Sequence, residues 1–445
     1  GEDQQAKSEK GIIAEHLMPL IDAAFPGTSA ALGVDVSVTF EEEIEDQNIR
    51  TYILGKTYHP IHDYTVRRDD ESMLFWFTYR AEFNEIKPYA IRSDAGWGCM
   101  LRATQMMMAQ ALRVHFKSRH WKPPKSLSSR RKDPFVRSML TWFADFASSS
   151  EHFYSLHNMV ASGLANYDKL PGEWYGPGTA CYVLRDLAEI HSKHMAKTMF
   201  RVHVTGSVYT EQVHDLMTRD AKAIMKAKEG ERIIPPASHP LELPEALGAQ
   251  EAADELEWDT ALLLLIPLRL GLKSFNSDYI EAVSYSFSLK HSVGVLGGRP
   301  RGARWFYGAL SDGSKIFGLD PHTVQPAPRK LPAAGNGKSS LVVELSNDYL
   351  RSVHTANAEV FSLQQMDPSI ALGFYCQNRR DFDEVINAMR NWNASHSNMP
   401  ELFPIAAKPP NYEVDLGGAM NDLMLDSLLD DDEQELSDED EYVML

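Results

Sequence analysis

The chain has 445 residues, a formal net charge of −18, 43% hydrophobic and 10% aromatic residues, which excludes a wholly disordered polymer and gives material for one large domain or two ordinary ones. The acidic balance argues against a nucleic-acid partner. Three scattered cysteines, Cys99, Cys181 and Cys376, none in a C-x-x-C pair, exclude a disulfide framework and a cysteine zinc site and fit a reducing compartment.

In chain order, the charged N-terminus carries no apolar core of a secretory signal, and residues 1–48 read as a mixed helical arm ("GIIAEHLMPLIDAAF") ending in "FEEEIED". Short β-prone pieces, "TYILG" and "SMLFWFTYR", follow. The first long helix is expected to start near Cys99, after the turn "SDAGWG". Met100, Ala103, Met107, Ala111 and Val114 recur there at helical spacing, and a helix so apolar on several sides belongs in the middle of a domain. "KSRHWKPPKSLSSRRKDP" (117–134) reads as a basic surface insertion. "GEWYGPGTACYVLRDLAEIHSKH" predicts a turn and an amphipathic helix, and 206–258 a helical insertion.

Strand signals then cluster: "ALLLLIPLRL", "SVGVLGG", "RWFYGAL", "KIFGLDPH" and "IALGFYC". The apolar run "ALLLLIPLRL" is about half the ~20 residues of a membrane span, so a soluble protein is expected. The stretch 325–340 reads as a loop; its "GNGKS" has Pro332 where a phosphate loop needs glycine. Helices first and strands later predict an α+β fold, a sheet packed on a central helix. Residues 49–405 form the folded unit in this reading, and 406–445 an acidic tail expected to be disordered.

Two places carry candidate chemistry. Cys99 falls at a helix start, where unpaired N–H groups and the helix dipole favour a thiolate, and Gly96 and Gly98 allow close approach. Asp320 and His322, two apart at the end of a strand-like run, share one face and can hydrogen-bond, with Pro321 restraining the backbone between them. A carboxylate orienting an imidazole that activates a thiol is triad logic applied to cysteine. A buried, inert cysteine and a solvated D-P-H turn are the plainer alternatives. The pairs His59/His62 and His191/His194 read as exposed histidines, and no metal or other cofactor is expected.

In this order "WFTYR", "SDAGWGCMLR", "WYGP", "GVLGGRP", "LDPHTVQ" and "DPSIALGFYC" resemble the autophagins, cysteine proteases that process the ubiquitin-like modifier of autophagic membranes. The resemblance covers roughly residues 50 to 385. It implies a papain-like α+β core, a central helix on an antiparallel sheet, with a small added subdomain. It carries the nucleophile onto Cys99, the base onto His322, the orienting carboxylate onto Asp320 and oxyanion support onto Tyr79. Trp174 matches a tryptophan covering the entrance, and Leu289, Lys290 and His291 fall where this reading places a movable gate, without the proline expected there.

The implied activity is cleavage after a glycine of the modifier precursor, together with release of the modifier from phosphatidylethanolamine; a catalytically silent modifier-binding protein is the alternative. The expected setting is a cytoplasmic monomer touching autophagic membranes through its substrate. Tyr442 and Leu445, in "SDEDEYVML", fit an aromatic-x-x-aliphatic motif that adds a strand to such a modifier while the preceding acids meet basic residues.

Overall fold

A computed structural model describes residues 48–147, 150–195, 200–218, 258, 260–332, 341–355 and 357–410. The N-terminal arm, most of 206–258, residues 333–340 and the tail with Tyr442 and Leu445 lie outside the described residues.

The main sheet is built from β1 (Thr51–Ile53), β2 (Lys56–Tyr58), β3 (Arg201–Val204), β4 (Leu262–Arg269), β5 (Ser292–Arg299), β6 (Gly302–Leu310), β7 (Ile316–Leu319), β8 (Glu359–Phe361) and β9 (Ser369–Cys376). Its order is β8-β7-β6-β5-β9-β4-β3, and the β1–β2 hairpin pairs with the far end of β6. The pairs are antiparallel except β3 with β4, which run parallel, so the sheet is mixed where an antiparallel one was expected.

The run Leu262–Ile266 explains the layering. Leu263 and Leu265 pack into the core on one face, Leu262, Leu264 and Ile266 into that on the other, because successive strand side chains alternate. One face is covered by α1 (Cys99–Phe116) and α2 (Pro177–Met195), the other by α3 (Arg379–Ser395) through Phe382, Val385, Ile386 and Met389.

Helix α1 is the predicted central helix: Leu101, Met106, Met107, Met108 and Leu112 are all fully buried, each worth about 1.5–3 kcal/mol of burial. It lies close enough to β9 that a Cβ on Gly373 would stand 2.9 Å from Met107 Sδ.

Two expectations change. "SMLFWFTYR" is not a sheet strand until Arg80; its residues, mostly buried, pass from a turn at Ser72–Leu74 into backbone without regular pairing. The basic stretch after α1 is anchored as well as exposed: Arg119 Nη1 donates to the Ser292 carbonyl (2.7 Å), and Arg130 Nε to that of Pro124 (2.6 Å).

Candidate active site

Cys99 is the first residue of α1, with Gly98 as its cap residue. The turn before it is strapped from beneath by fully buried Asp94, which accepts from the Arg80 backbone N–H (2.6 Å) and from Arg102 Nε (2.7 Å); Arg102 reaches on to Asp145 (3.0 Å). The Gly98 N–H donates to the Asp94 carbonyl at 2.9 Å. A Cβ on Gly98 would meet Asp94 Oδ2 at 2.5 Å, whereas Gly96 faces open space and is required by its φ of +87°. The two glycines therefore serve different needs.

The sequence after β7 supplies the partners. His322 Nδ1 donates to Asp320 Oδ1 in a very short hydrogen bond, and the His322 backbone N–H donates to the same oxygen at 3.0 Å. Arg304 Nη2 donates to Asp320 Oδ2 at 3.2 Å, and Trp76 Nε1 to the Asp320 carbonyl at 2.7 Å. The extended segment before Arg80 is tied to this loop, since the Tyr79 N–H donates to the Pro321 carbonyl at 2.9 Å. Tyr79 thereby meets His322 edge-on, ring centroids 5.3 Å apart.

Cys99, His322, Asp320 and Tyr79 are thus one cluster. His322 Nε2 and the Tyr79 hydroxyl are buried with no hydrogen-bond partner among the described residues, and both residues act on the titration of the Cys99 thiol. Burial pushes the Cys99 thiol up, but hydrogen bonds from His322, the Ala303 backbone and Tyr79 outweigh it, and the net direction is down. Burial pulls His322 down; hydrogen bonds to Asp320 and Cys99 reverse this and raise it to about 9. Asp320, despite burial, is held far below the usual carboxylate range by Arg304 and His322. Burial and the Cys99 charge drive the Tyr79 phenol well above its ordinary value, so it stays protonated and can donate. The arrangement favours a thiolate–imidazolium pair, with a neutral phenol beside it.

The rim is formed by Trp174, 41% exposed, whose Nε1 donates to the Gly96 carbonyl at 2.7 Å. Arg301 lies over the Trp174 ring, 4.3 Å from its centroid. Arg301 belongs to the β5–β6 turn, and Ala303 just beyond it hydrogen-bonds Cys99. This corrects the sequence reading of the gate. Leu289, Lys290 and His291 precede β5 at its opposite end, roughly 25 Å away at strand rise. There Leu289 is buried in the core against α3, Lys290 pairs with Glu384 at 2.5 Å, and His291 is buried beside Asp381. The segment beside Trp174 is Arg299–Gly302, and it contains the proline missed before, Pro300.

One of the paired histidines also needs correction, whereas His62 and His194 are exposed as read. His191 is fully buried, stacked on Phe153, and its Nδ1 meets the Tyr154 hydroxyl at 3.0 Å; burial pulls it down to about 3. Among the described residues the one group with metal-ligand geometry is His291, Asp381 and Glu384, ligand atoms within 4.8 Å of one another. The Lys290 ammonium already pairs with both of its carboxylates.

Sequence reasoning missed Trp76, Asp94, Arg102, Arg304 and Glu359. Arg304 follows Ala303 on β6, and Trp305 pairs with Leu319; Arg304 therefore faces Asp320 only once that register is known.

A thiol at a helix N-terminus, an imidazole braced by a carboxylate, and a phenol aimed at the sulfur form the constellation of a cysteine peptidase. The peptidase C54 catalytic domain matches residues 65–388. Cysteine protease ATG4B of Gallus gallus is 30% identical over 375 residues, covering 83% of this chain and 87% of its own. Cysteine protease ATG4A of Gallus gallus is 31% identical over 374 residues (84% and 90%), and that of Mus musculus 32% over 380 (83% and 85%). The chain belongs to the peptidase C54 family, the autophagins, and is a cysteine-type peptidase of autophagy.

Proposed function

We propose that the chain cleaves the ubiquitin-like autophagy modifier after a C-terminal glycine, removing the precursor's extension and freeing the modifier from phosphatidylethanolamine. The observation that carries this reading is the cluster itself: the Cys99 sulfur interacts with His322 and Tyr79, and Asp320 stands behind the imidazole.

In the proposed mechanism the Cys99 thiolate attacks the glycine carbonyl carbon. The Tyr79 hydroxyl and the Cys99 N–H stabilise the oxyanion. When the C–N bond breaks, the His322 imidazolium gives its proton to the departing amine, leaving a thioester. His322, now neutral, takes a proton from water as the hydroxide adds to the thioester. Collapse releases the glycine carboxylate and restores the thiolate–imidazolium pair. A peptide amine and the phosphatidylethanolamine amine leave by the same step. Trp174 and the Arg299–Gly302 turn form an entrance suited to an extended glycine-containing tail, and that turn takes over the proposed gating role.

In the same reading Tyr442 and Leu445 hold the modifier by strand addition. The protein acts as a cytoplasmic monomer and meets membranes through its lipidated substrate. The experiment is intact-mass spectrometry of a C-terminally extended modifier, and of its phosphatidylethanolamine conjugate, after incubation with wild type and Cys99→Ala. One cut directly after the glycine, absent in the variant, is expected. No cut by wild type alongside a stable complex would instead favour the silent binder. Deleting residues 436–445 should weaken modifier binding while Cys99 alkylation stays unchanged; unaltered affinity would remove the tail from the proposal.

A further inference from the structure

Behind His322, Asp320 shares its support with a second acid. The alternation of β7 carries on past its end, so Gly318 and Asp320, two residues apart, share one face. Glu359 of β8 is paired with Gly318, and the glycine puts no side chain beside it. The two carboxyls converge on one guanidinium: Arg304 Nε donates to Glu359 Oε2, and Nη2 to Asp320 Oδ2 at 3.2 Å. Arg304 is itself fixed. Its Nη1 donates to the Gly302 carbonyl at 2.7 Å, and its guanidinium lies 4.5 Å from the centroid of Phe361, two residues beyond Glu359.

Two acids on one guanidinium raise a question of charge. The Cys99 thiolate and the His322 imidazolium cancel, and so do Asp320 and Arg304. Glu359 as a carboxylate would leave one uncompensated negative charge in a partly buried cluster, which is costly. Arg299, the other cation over the Phe361 ring at 5.6 Å, hydrogen-bonds Gln365. Among the described residues Arg304 is the one cation paired with Glu359.

A proton removes the excess. Burial and the Asp320 charge raise the Glu359 carboxyl to about 8, with the Arg304 charge opposing them. Protonation also suits the hydrogen bonds. Asp320 Oδ1 accepts twice, from His322 Nδ1 and the His322 backbone N–H, whereas Oδ2 accepts from Arg304. A neutral carboxyl accepts from Arg304 on its carbonyl oxygen and donates its own O–H, which a carboxylate lacks.

We propose that Glu359 is a positioning residue for the peptidase reaction, a neutral acid that donates to Asp320 and, with Arg304, fixes the carboxylate behind His322. It acts through Asp320 and not on the substrate, and its role rests on the catalytic reading of Cys99 and His322 given above.

Three readouts on the full chain test this. The infrared difference between wild type and Glu359→Gln at neutral pH should contain the C=O stretch of one protonated carboxyl; a carboxylate band in its place would overturn the proposal. In steady-state kinetics on an extended modifier, Glu359→Ala should lower kcat about tenfold and leave KM nearly unchanged. Glu359→Gln should recover most of that loss, because the amide accepts from Arg304 and donates to Asp320 as the neutral acid does. A glutamine variant as slow as the alanine variant would show that the charge of Glu359 is what matters, and an alanine variant as fast as wild type would show that nothing there matters; either result would overturn the proposal. Alkylation of Cys99 by iodoacetamide needs no modifier. Its pH profile should move to higher pH in Glu359→Ala, where a loosened Asp320 stabilises the imidazolium less, and stay in place in Glu359→Gln; the same profile in both variants would also overturn the proposal. Failure of wild type to cut the modifier would remove the cleavage reading and leave the infrared and alkylation tests standing.

Discussion

Arg304 Nη2 stands 3.2 Å from Asp320 Oδ2, so the carboxylate that braces His322 is itself braced from the next strand. Arg304 also reaches Glu359, whose carboxyl is raised to about 8 by burial and by the Asp320 charge. The His322 imidazole is therefore the outermost member of a stack that crosses β6, β7 and β8. Arg304→Gln should leave KM nearly unchanged and lower kcat about tenfold, since the loss falls on orientation and imidazolium stabilisation. Steady-state kinetics on an extended modifier decides this; an unchanged kcat would show that Asp320 needs no support.

The ion pair sets a pH window. With the Cys99 thiol lowered and His322 raised to about 9, alkylation of Cys99 by iodoacetamide should become fast at a lower pH than for an ordinary thiol. Turnover should fall on the alkaline side near 9 as the imidazolium loses its proton. In His322→Ala the alkylation rate should instead rise with an ordinary thiol pKa, about 8.5. Identical alkylation profiles for wild type and variant would contradict the pairing. The folded His322 pKa is raised, so its contribution to stability is complete below its unfolded value of about 6.5 and is lost as pH rises towards 9.

Tyr79→Phe keeps the ring against His322 and removes the donor. The expected loss is about 10²-fold in kcat, the usual cost of one oxyanion donor, with a smaller change in alkylation because that reaction forms no oxyanion. A variant turning over at the wild-type rate would leave Tyr79 as packing alone.

Gly98→Ala tests the strap beneath the turn. The new methyl would sit 2.5 Å from Asp94 Oδ2, and the buried Asp94–Arg102 pair cannot give way cheaply. A destabilisation of about 1–3 kcal/mol is expected from overpacking, read by denaturant unfolding, together with slower Cys99 alkylation. Gly96→Ala should differ in kind: there the cost comes from the positive φ and not from a collision. Equal stability of Gly98→Ala and wild type would disprove the collision argument.

What could be read from the sequence was local. The α1 stripe from Met100 to Val114 predicted a buried central helix. The two-residue spacing of Asp320 and His322 predicted their hydrogen bond, because neither needs knowledge of a distant partner. The gate reading failed because residues before "GVLGG" and after it look equally adjacent in sequence, yet a strand separates them by its whole length. "SMLFWFTYR" has the composition of a strand but spends its backbone groups on loops such as Pro321 and Val353. Arg304 and Asp94 escaped notice because charged residues are ordinary on surfaces. Only register and burial turn them into supports for the site.

The central helix brings the sulfur, and the far strand, beyond residue 316, brings the imidazole. Neither half of the chain can make the reactive pair alone, and the pair requires both α1 and the strand ending at Leu319 to be in place. Cys99 is thus a clock for the maturation of its own fold: during refolding, the appearance of rapid alkylation near neutral pH marks the moment when the two ends of the topology have met.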